Sequence, residues 1–307
     1  MVARFVKQCA LLSLPIAAGL AGYVAWNRAY IPAPRLTGNV ALNEQIHRVA
    51  ELPSGRIQVL ALGSSMTLNN LASGPVVEHF KTLEMINAGA WGMGAFETAL
   101  LGPELVEHLD PSTVIMVTNL MDFIPGTPLN EKEVAAIREH LAHGGSFWDY
   151  FTFWDAPWFL RQMGLNRIRF TDPGNYEYLG FDTHGAATLE VPQDRIFPLR
   201  FNKPPPKPEE LEENIYAAFA SFSAWLRERD TDLIVLLSPY RKGLQDAELE
   251  RMNAAHALRL KKILDASGHR MVNGNERLWP DSVFNDSSHL DRAGAEQFTR
   301  WALDRLP

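Results

Sequence analysis

The chain has 307 residues, of which 46% are hydrophobic and 21% are charged, and its net charge is −7. This length allows one large globular domain with a substantial core, and the acidic balance excludes a generally basic nucleic-acid-binding surface. The only cysteine, Cys9, lies near the N-terminus, so the rest of the chain can form neither a disulfide nor a cysteine-based metal site.

Residues 1–30 have the pattern of a membrane anchor. Arg4 and Lys7 precede an almost uninterrupted apolar stretch from Cys9 to Trp26. As a helix this stretch would be roughly 27 Å long, close to the hydrocarbon thickness of a bilayer. The basic flank predicts a cytoplasmic N-terminus and an extracytoplasmic body, which would be periplasmic in a Gram-negative cell. A cleaved signal peptide is the alternative, because the segment is rich in small residues.

The end of the apolar stretch carries Tyr23, Trp26 and Tyr30, residue types that are typical of membrane interfaces. Residues 31–50 begin with Pro32 and Pro34, followed by Gly38, and are predicted to form a tether. Residues 51–307 are predicted to form the globular domain.

Apolar runs alternate with helical patterns through this domain. The first run, 57–62, is stopped by Gly63 and predicts a buried strand followed by a tight turn and a helix. Further strands are predicted at 83–87, 113–117, 233–237 and 270–272. Such alternation predicts a three-layer, doubly wound, flavodoxin-like α/β fold with a parallel sheet of about five strands. Ligands of these sheets bind beyond the carboxyl ends of the strands.

The turn after the first predicted strand reads Gly63-Ser64-Ser65. A serine there lies at the N-terminus of a helix, where unpaired backbone N–H groups and the helix dipole favour developing negative charge. Ser65 is therefore a candidate nucleophile. The alternative is that Ser64 or Ser65 only caps the helix.

A polar loop with an aspartate three residues before a histidine, Asp286 and His289, precedes the last predicted helix, 292–306. A short loop can turn both side chains to one side, so that the carboxylate orients the imidazole while the other ring nitrogen faces a serine. This arrangement would support acyl transfer. A surface loop with a helix-capping aspartate is the alternative.

Together these residues resemble the SGNH, or GDSL-type, hydrolases. Ser65 corresponds to the nucleophile in the first block of that family, Gly-Asp-Ser. Asn87 and Gly92 match the second block, whose glycine N–H the family uses in its oxyanion hole. Asp286 and His289 match the fifth block, Asp-x-x-His.

Two blocks depart from the family pattern. Ser64 replaces the aspartate of the first block, and the third block, Gly-x-Asn-Asp, is only loosely matched by residues 118–122. Asn119 is therefore the candidate for the amide donor of the oxyanion hole, and loss of one such donor typically costs about 10²–10³ in rate.

The resemblance implies the catalytic residues Ser65, Asp286 and His289 and an oxyanion hole formed by Ser65, Gly92 and Asn119. It implies no metal and no organic cofactor. The anchor and the Gly-Ser-Ser variant resemble one branch in particular, the extracytoplasmic SGNH-like proteins of teichoic acid D-alanylation and alginate O-acetylation, which work beside membrane-bound O-acyltransferases. The implied substrate is an acyl ester of a cell-envelope glycan, and hydrolysis and transfer would share one acyl-serine intermediate.

Two other functions are compatible with the sequence. The missing first-block aspartate and altered third block are also expected of a degenerate SGNH domain that serves as a membrane scaffold or partner-binding subunit. A plain lipase or thioesterase would require an apolar acyl pocket beside Ser65. An open cleft over Ser65 would favour catalysis, whereas Trp91 or Met66 filling that space would favour the scaffold.

Residues 143–208 form a predicted insertion whose first part, 147–160, is aromatic on nearly all sides. A helix surrounded by water would not have this pattern. The sequence predicts a buried helix that packs over the sheet. The alternatives are a contact with the membrane surface or a partner helix, or a sugar-stacking wall beside the active site.

Overall fold

The computed structural model describes residues 2–52, 57–126, 129–146 and 148–306. It is an α/β fold with one parallel sheet of five strands in the order β2-β1-β3-β4-β5, which confirms the predicted flavodoxin-like topology. The strands are β1 Val59–Ala61, β2 Met85–Asn87, β3 Thr113–Thr118, β4 Asp232–Leu237 and β5 Arg270–Asn273.

Helices connect and cover the strands. In chain order they are α1 Val2–Trp26, α2 Val40–Ala50, α3 Ser65–Asn70, α4 Ser73–Phe80, α5 Ala95–Leu109, α6 Glu131–Ala142, α7 Asp149–Thr152, α8 Ala156–Arg169, α9 Pro198–Phe201, α10 Glu213–Arg227, α11 Ala247–Ser267 and α12 Arg292–Leu303. Helix α10 is preceded by a separate 3₁₀ turn, Pro208–Glu210.

The sheet separates two hydrophobic cores. Side chains alternate along a strand, so Leu60 and Leu233 face one side while their neighbours Val59 and Ile234 face the other. Helices α2, α5, α10 and α11 cover the first side, and α3, α4 and α12 cover the second. This three-layer arrangement brings the carboxyl ends of all strands to one edge.

The segment predicted as a tether, 31–50, differs in the structure. Residues 40–50 form helix α2, and its side chains Leu42 and Ile46, one turn apart, are fully buried in the first core. Leu36, ahead of this helix, is buried as well. Residues 40–50 therefore pack as part of the globular domain, since their apolar spacing forms a stripe that faces the sheet.

Helix α1 stands outside both cores. Its stretch Arg4–Trp26 is unburied, and it is long and apolar enough to cross a membrane. A signal sequence near an N-terminus would meet the same criteria. The orientation of α1 across a membrane therefore stays a prediction. Its length and composition are sufficient for a membrane-spanning helix.

The aromatic segment of the insertion is not a buried helix over the sheet, and that prediction is wrong. Trp148, Phe151 and Trp154 are exposed, and α7 has only four residues, none of them buried. The carboxylate of Asp149 lies 2.5 Å from Nδ1 of His140 on α6, and this contact holds α7 at the edge of the domain. Phe147, at the start of the segment, lies outside the described residues.

Candidate active site

The turn between β1 and α3 fixes the position of Ser65. Gly63 has φ +143°, and a Cβ atom there would collide with the Thr67 hydroxyl. Thr67 Oγ1 donates toward the carbonyl oxygens of Leu62, at 2.9 Å, and Val117, at 3.0 Å. Ser64 is the helix cap, because its Oγ accepts a hydrogen bond from the Met66 N–H at 3.1 Å. Capping therefore falls to Ser64 and leaves the hydroxyl of Ser65 available.

Ser65, His289 and Asp286 form a continuous row of hydrogen bonds. The Ser65 Oγ lies 2.8 Å from Nε2 of His289, and Nδ1 of His289 lies 2.8 Å from Oδ2 and 3.0 Å from Oδ1 of Asp286. Asp286 Oδ1 also accepts the backbone N–H groups of Ser288, at 3.0 Å, and His289, at 2.8 Å. The structure thus brings together the three residues that the sequence proposed as catalytic.

The side chain of Asn70, at the end of α3, holds the histidine loop against the nucleophile helix. Its Nδ2 donates to Ser238 Oγ at 2.8 Å and to the Ser288 carbonyl oxygen at 2.9 Å. Its Oδ1 accepts the Leu290 N–H at 2.9 Å. Asn70 is fully buried. No motif in the sequence marks Asn70, and its only signal is its position at the last residue of the helix that begins at Ser65.

Asp286 is buried yet strongly acidic. Burial alone would raise its pKa, but the adjacent His289 and the hydrogen bonds to this carboxylate together lower the pKa to about 2. Arg200 lies near the same group, with its Nη2 3.5 Å from Asp286 Oδ2. Asp286 therefore stays ionised and can stabilise a positive charge on the imidazole. No sequence signal indicated Arg200.

A second buried carboxylate, Asp122, lies on the other side of the nucleophile turn. Burial raises the pKa of Asp122 to about 6, although hydrogen bonds from Ser64 and Thr118 oppose the shift. The Thr118 hydroxyl donates to Asp122 Oδ2 at 2.8 Å. Asp122 thus faces Ser64, the residue that stands where the family has its own aspartate. The sequence analysis used Asp122 only as part of the third block.

The three predicted oxyanion donors, Ser65, Gly92 and Asn119, have different surroundings. Ser65 is the first residue of α3, so its N–H belongs to the first turn, whose N–H groups have no intrahelical partner. Gly92 adopts φ +65° and lines the cavity over Ser65. The buried amide of Asn119 donates to the sulfur of Met66 at 3.2 Å, and its Oδ1 accepts the Met121 N–H at 2.9 Å. Asn119 is not among the residues that line the cavity over Ser65, and its oxyanion role stays a prediction.

A cavity of about 470 Å³ opens over Ser65 and His289. A second cavity, of about 840 Å³, adjoins it, because both are lined by Gly92, Pro125 and Gly126. Met66 forms part of the wall of the first cavity, and Trp91 lines the second. Neither side chain fills the space over Ser65, which leaves room for a substrate.

The two cavities differ in charge. The first is lined by two cations and two carboxylates, Arg200, Lys203, Asp122 and Asp286, whereas the second is lined by three carboxylates and one cation, Glu97, Glu133, Glu177 and Arg169. Burial raises the pKa of Glu97. Within the described part of the chain, no three histidine, cysteine or acidic side chains are grouped as metal ligands.

Comparisons with known proteins add a distant likeness of fold. No family model matches the chain, and no curated protein matches it either. A solved Bacteroides fragilis structure, described as a "putative acylhydrolase", is similar with 15% sequence identity and a TM-score of 0.42. The match covers 88% of this chain and 97% of the other. This likeness is too low to carry an argument about activity.

Proposed function

We propose that the protein is a membrane-anchored serine esterase or O-acyltransferase that acts on an acyl ester of a cell-envelope glycan. The observation that carries this proposal is the hydrogen-bonded row of Ser65, His289 and Asp286 under an open cavity. A nucleophile, a base in hydrogen-bond reach and a group that orients the base are the parts that acyl transfer requires.

In the proposed reaction, Ser65 Oγ forms a bond to the ester carbonyl carbon while its proton passes to Nε2 of His289. The carbonyl oxygen becomes an oxyanion that the N–H groups of Ser65 and Gly92 stabilise. The bond to the leaving alcohol then breaks, and that alcohol takes the proton from His289. Asp286 stays ionised throughout and stabilises the imidazolium.

The acyl group is then bound to Ser65, and the second half of the reaction repeats the steps in reverse. Water or a sugar hydroxyl loses its proton to His289 and attacks the acyl carbon, and Ser65 recovers its proton. The adjoining cavity supports a polyhydroxyl substrate, because carboxylates that accept hydrogen bonds and the ring of Trp91 line it. A membrane-bound O-acyltransferase as the partner is part of the proposal and rests on the resemblance alone.

Labelling of the detergent-solubilised full-length protein with a fluorophosphonate probe tests the chemistry. The wild type should label, and both Ser65→Ala and His289→Ala should lose labelling. In a separate assay of ester hydrolysis, the kcat of Ser65→Ala should fall by about 10⁶, as expected when the nucleophile is removed. Ser287→Ala is the matched control. Ser287 is another serine that lines the cavity, but it lies in the loop of His289 and is not part of the hydrogen-bonded row. This variant should label like the wild type.

An unlabelled wild type, beside a serine hydrolase that labels, would instead favour the non-catalytic scaffold. Labelling that survives in Ser65→Ala would show that another residue is the nucleophile. If labelling is confirmed, partition of an acetylated intermediate between water and added sugar distinguishes esterase from transferase.

A further inference from the structure

Helix α8 has one buried and one exposed face. Met163 and Asn166 are buried in the domain, whereas Pro157, Arg161 and Ile168 are exposed. The exposed residues are four and seven positions apart, so they share one side of the helix. Trp154, just ahead of the helix, is 57% exposed.

This helix packs beside the end of α1. The Tyr23 hydroxyl donates to the Leu160 carbonyl oxygen at 3.1 Å. Farther along both helices, the guanidinium carbon of Arg167 lies 5.2 Å from the ring centre of Trp26 and 5.3 Å from that of Tyr30. The contacts advance in the same order along the two segments, so α8 runs in the same direction as the end of α1. Residues ahead of Leu160 therefore lie on the side of the apolar body of α1.

The length of α1 determines how far its contacts with α8 lie from the bilayer surface. The candidate membrane span Arg4–Trp26, which includes the basic residues Arg4 and Lys7 ahead of the apolar stretch, has 23 residues. As a helix it is roughly 34 Å long, just over the hydrocarbon thickness of about 30 Å. Tyr23 and Trp26 then lie at the bilayer surface, where aromatic residues are enriched. The first turn of α8 and Trp154 lie at or below that level.

The charges near this end of α1 suit the same environment. Arg28 and Arg161 are exposed, while Arg35 pairs with Asp155 and stacks 5.7 Å from the ring centre of Trp158. This local basic character contrasts with the net charge of −7 for the whole chain. Exposed arginines close to an anionic lipid surface are attracted to it electrostatically.

We propose that the exposed face of α8, formed by Trp154, Pro157, Arg161 and Ile168, binds the surface of a lipid bilayer with anionic headgroups. It is a second membrane contact beside α1, and it fixes the orientation of the globular domain on the membrane. The inference rests on the membrane anchoring in the proposed function and is independent of the chemistry at Ser65.

Depth-dependent fluorescence quenching of the full-length protein tests this contact. Cys9→Ser removes the only native cysteine, and single cysteines are then introduced as Trp154→Cys, Leu20→Cys or Leu258→Cys. Leu20 lies within the anchor, and Leu258, on α11, is the matched control because it is exposed to the same 57% as Trp154. Each variant is labelled with an environment-sensitive fluorophore and placed in nanodiscs of phosphatidylcholine and phosphatidylglycerol that contain doxyl-labelled lipid.

The expected result is a loss of fluorescence at positions 154 and 20 and none at position 258. Addition of Arg161→Glu should weaken quenching at 154 in anionic discs without changing it at 20. If position 20 is quenched while 154 behaves like 258, the second contact is refuted and the anchor stands. If position 20 also escapes quenching, the anchoring is refuted together with the contact. Because the discs contain no other protein, quenching at 154 cannot come from a partner helix.

Discussion

Two buried carboxylates flank the candidate nucleophile, one in the loop ahead of α12 and one in the turn after β3, and their pKa values move in opposite directions. The pKa of Asp286 is lowered to about 2, whereas burial raises that of Asp122 to about 6. Both side chains are almost inaccessible to solvent. The difference therefore comes from their partners and not from the depth of burial.

Asp286 has a chargeable partner in His289 and two backbone N–H donors, which favour its ionised form. Asp122 has mainly neutral donors, among them the hydroxyls of Ser64 and Thr118, which only partly offset the cost of burying a charge. The histidine loop therefore stabilises a negative charge, whereas the turn after β3 does not. We expect the two carboxylates to respond differently to the same substitution.

The largest expected effect is on the rate of fluorophosphonate labelling. Asp286→Asn should lower that rate by about 10⁴, because an amide cannot hold the imidazole in the required tautomer or stabilise its charge. Asp122→Asn should lower it by less than about tenfold, equivalent to about 1.4 kcal/mol, since Asp122 lies outside the hydrogen-bonded row. Equal losses in the two variants would contradict the assignment of Asp286 as the orienting group.

A smaller effect is expected on the pH dependence of stability. The pKa of Asp286 lies below its unfolded value, so it contributes stability that is present above pH ~4 and lost as the pH falls toward 2. The pKa of Asp122 lies above its unfolded value, so stability falls as the pH rises from ~4 to about 6. Each contribution is on the order of 2–3 kcal/mol.

Denaturant unfolding of the full-length protein in detergent from acidic to neutral pH measures both contributions. Asp286→Asn should remove the acid-side loss, and Asp122→Asn should remove the decline toward neutral pH. Asp172→Asn is the control, because Asp172 forms an exposed ion pair with Arg195. If the two buried variants shift the curve in the same direction, the contrast between the carboxylates is wrong.

The smallest expected effect comes from Ser64, which contacts only one of the two carboxylates. Ser64→Ala removes the cap of α3 and should lower the free energy of unfolding by about 1 kcal/mol. It also removes a hydrogen bond that lowers the pKa of Asp122, so this pKa should rise further. Carboxylate NMR titration measures this pKa, and Ser64→Thr should retain both properties. An unchanged pKa in Ser64→Ala would show that Ser64 has no part in the shift.

The fold and the hydrogen-bonded row of Ser65, His289 and Asp286 were accessible from sequence because their signals are local. Ser65 follows a strand and starts a helix, and Asp286 and His289 share a short loop before another helix. Parallel strand ends converge at one edge, so the topology alone brings the two segments near each other. Their hydrogen-bond geometry then depends on Asn70, a buried polar residue that no spacing rule identifies.

Other features depend on contacts that a linear pattern does not encode. The amide of Asn119 turns toward Met66, a residue 53 positions away, and this pairing decides its direction. The aromatic segment has the composition of a buried helix, but α7 is too short to cover the sheet and is held at the edge by His140. Composition indicates a need for apolar surroundings without showing whether protein or lipid supplies them.

The bonds made by Asn70 also have a consequence for the order of events during synthesis. They join α3 to a loop 218 and 220 residues later in the chain. A ribosome adds residues one after another, and domains fold as their segments emerge. A growing chain therefore carries Ser65 for most of its synthesis before His289 exists. Until the late loop docks, the hydroxyl of Ser65 therefore has no imidazole partner.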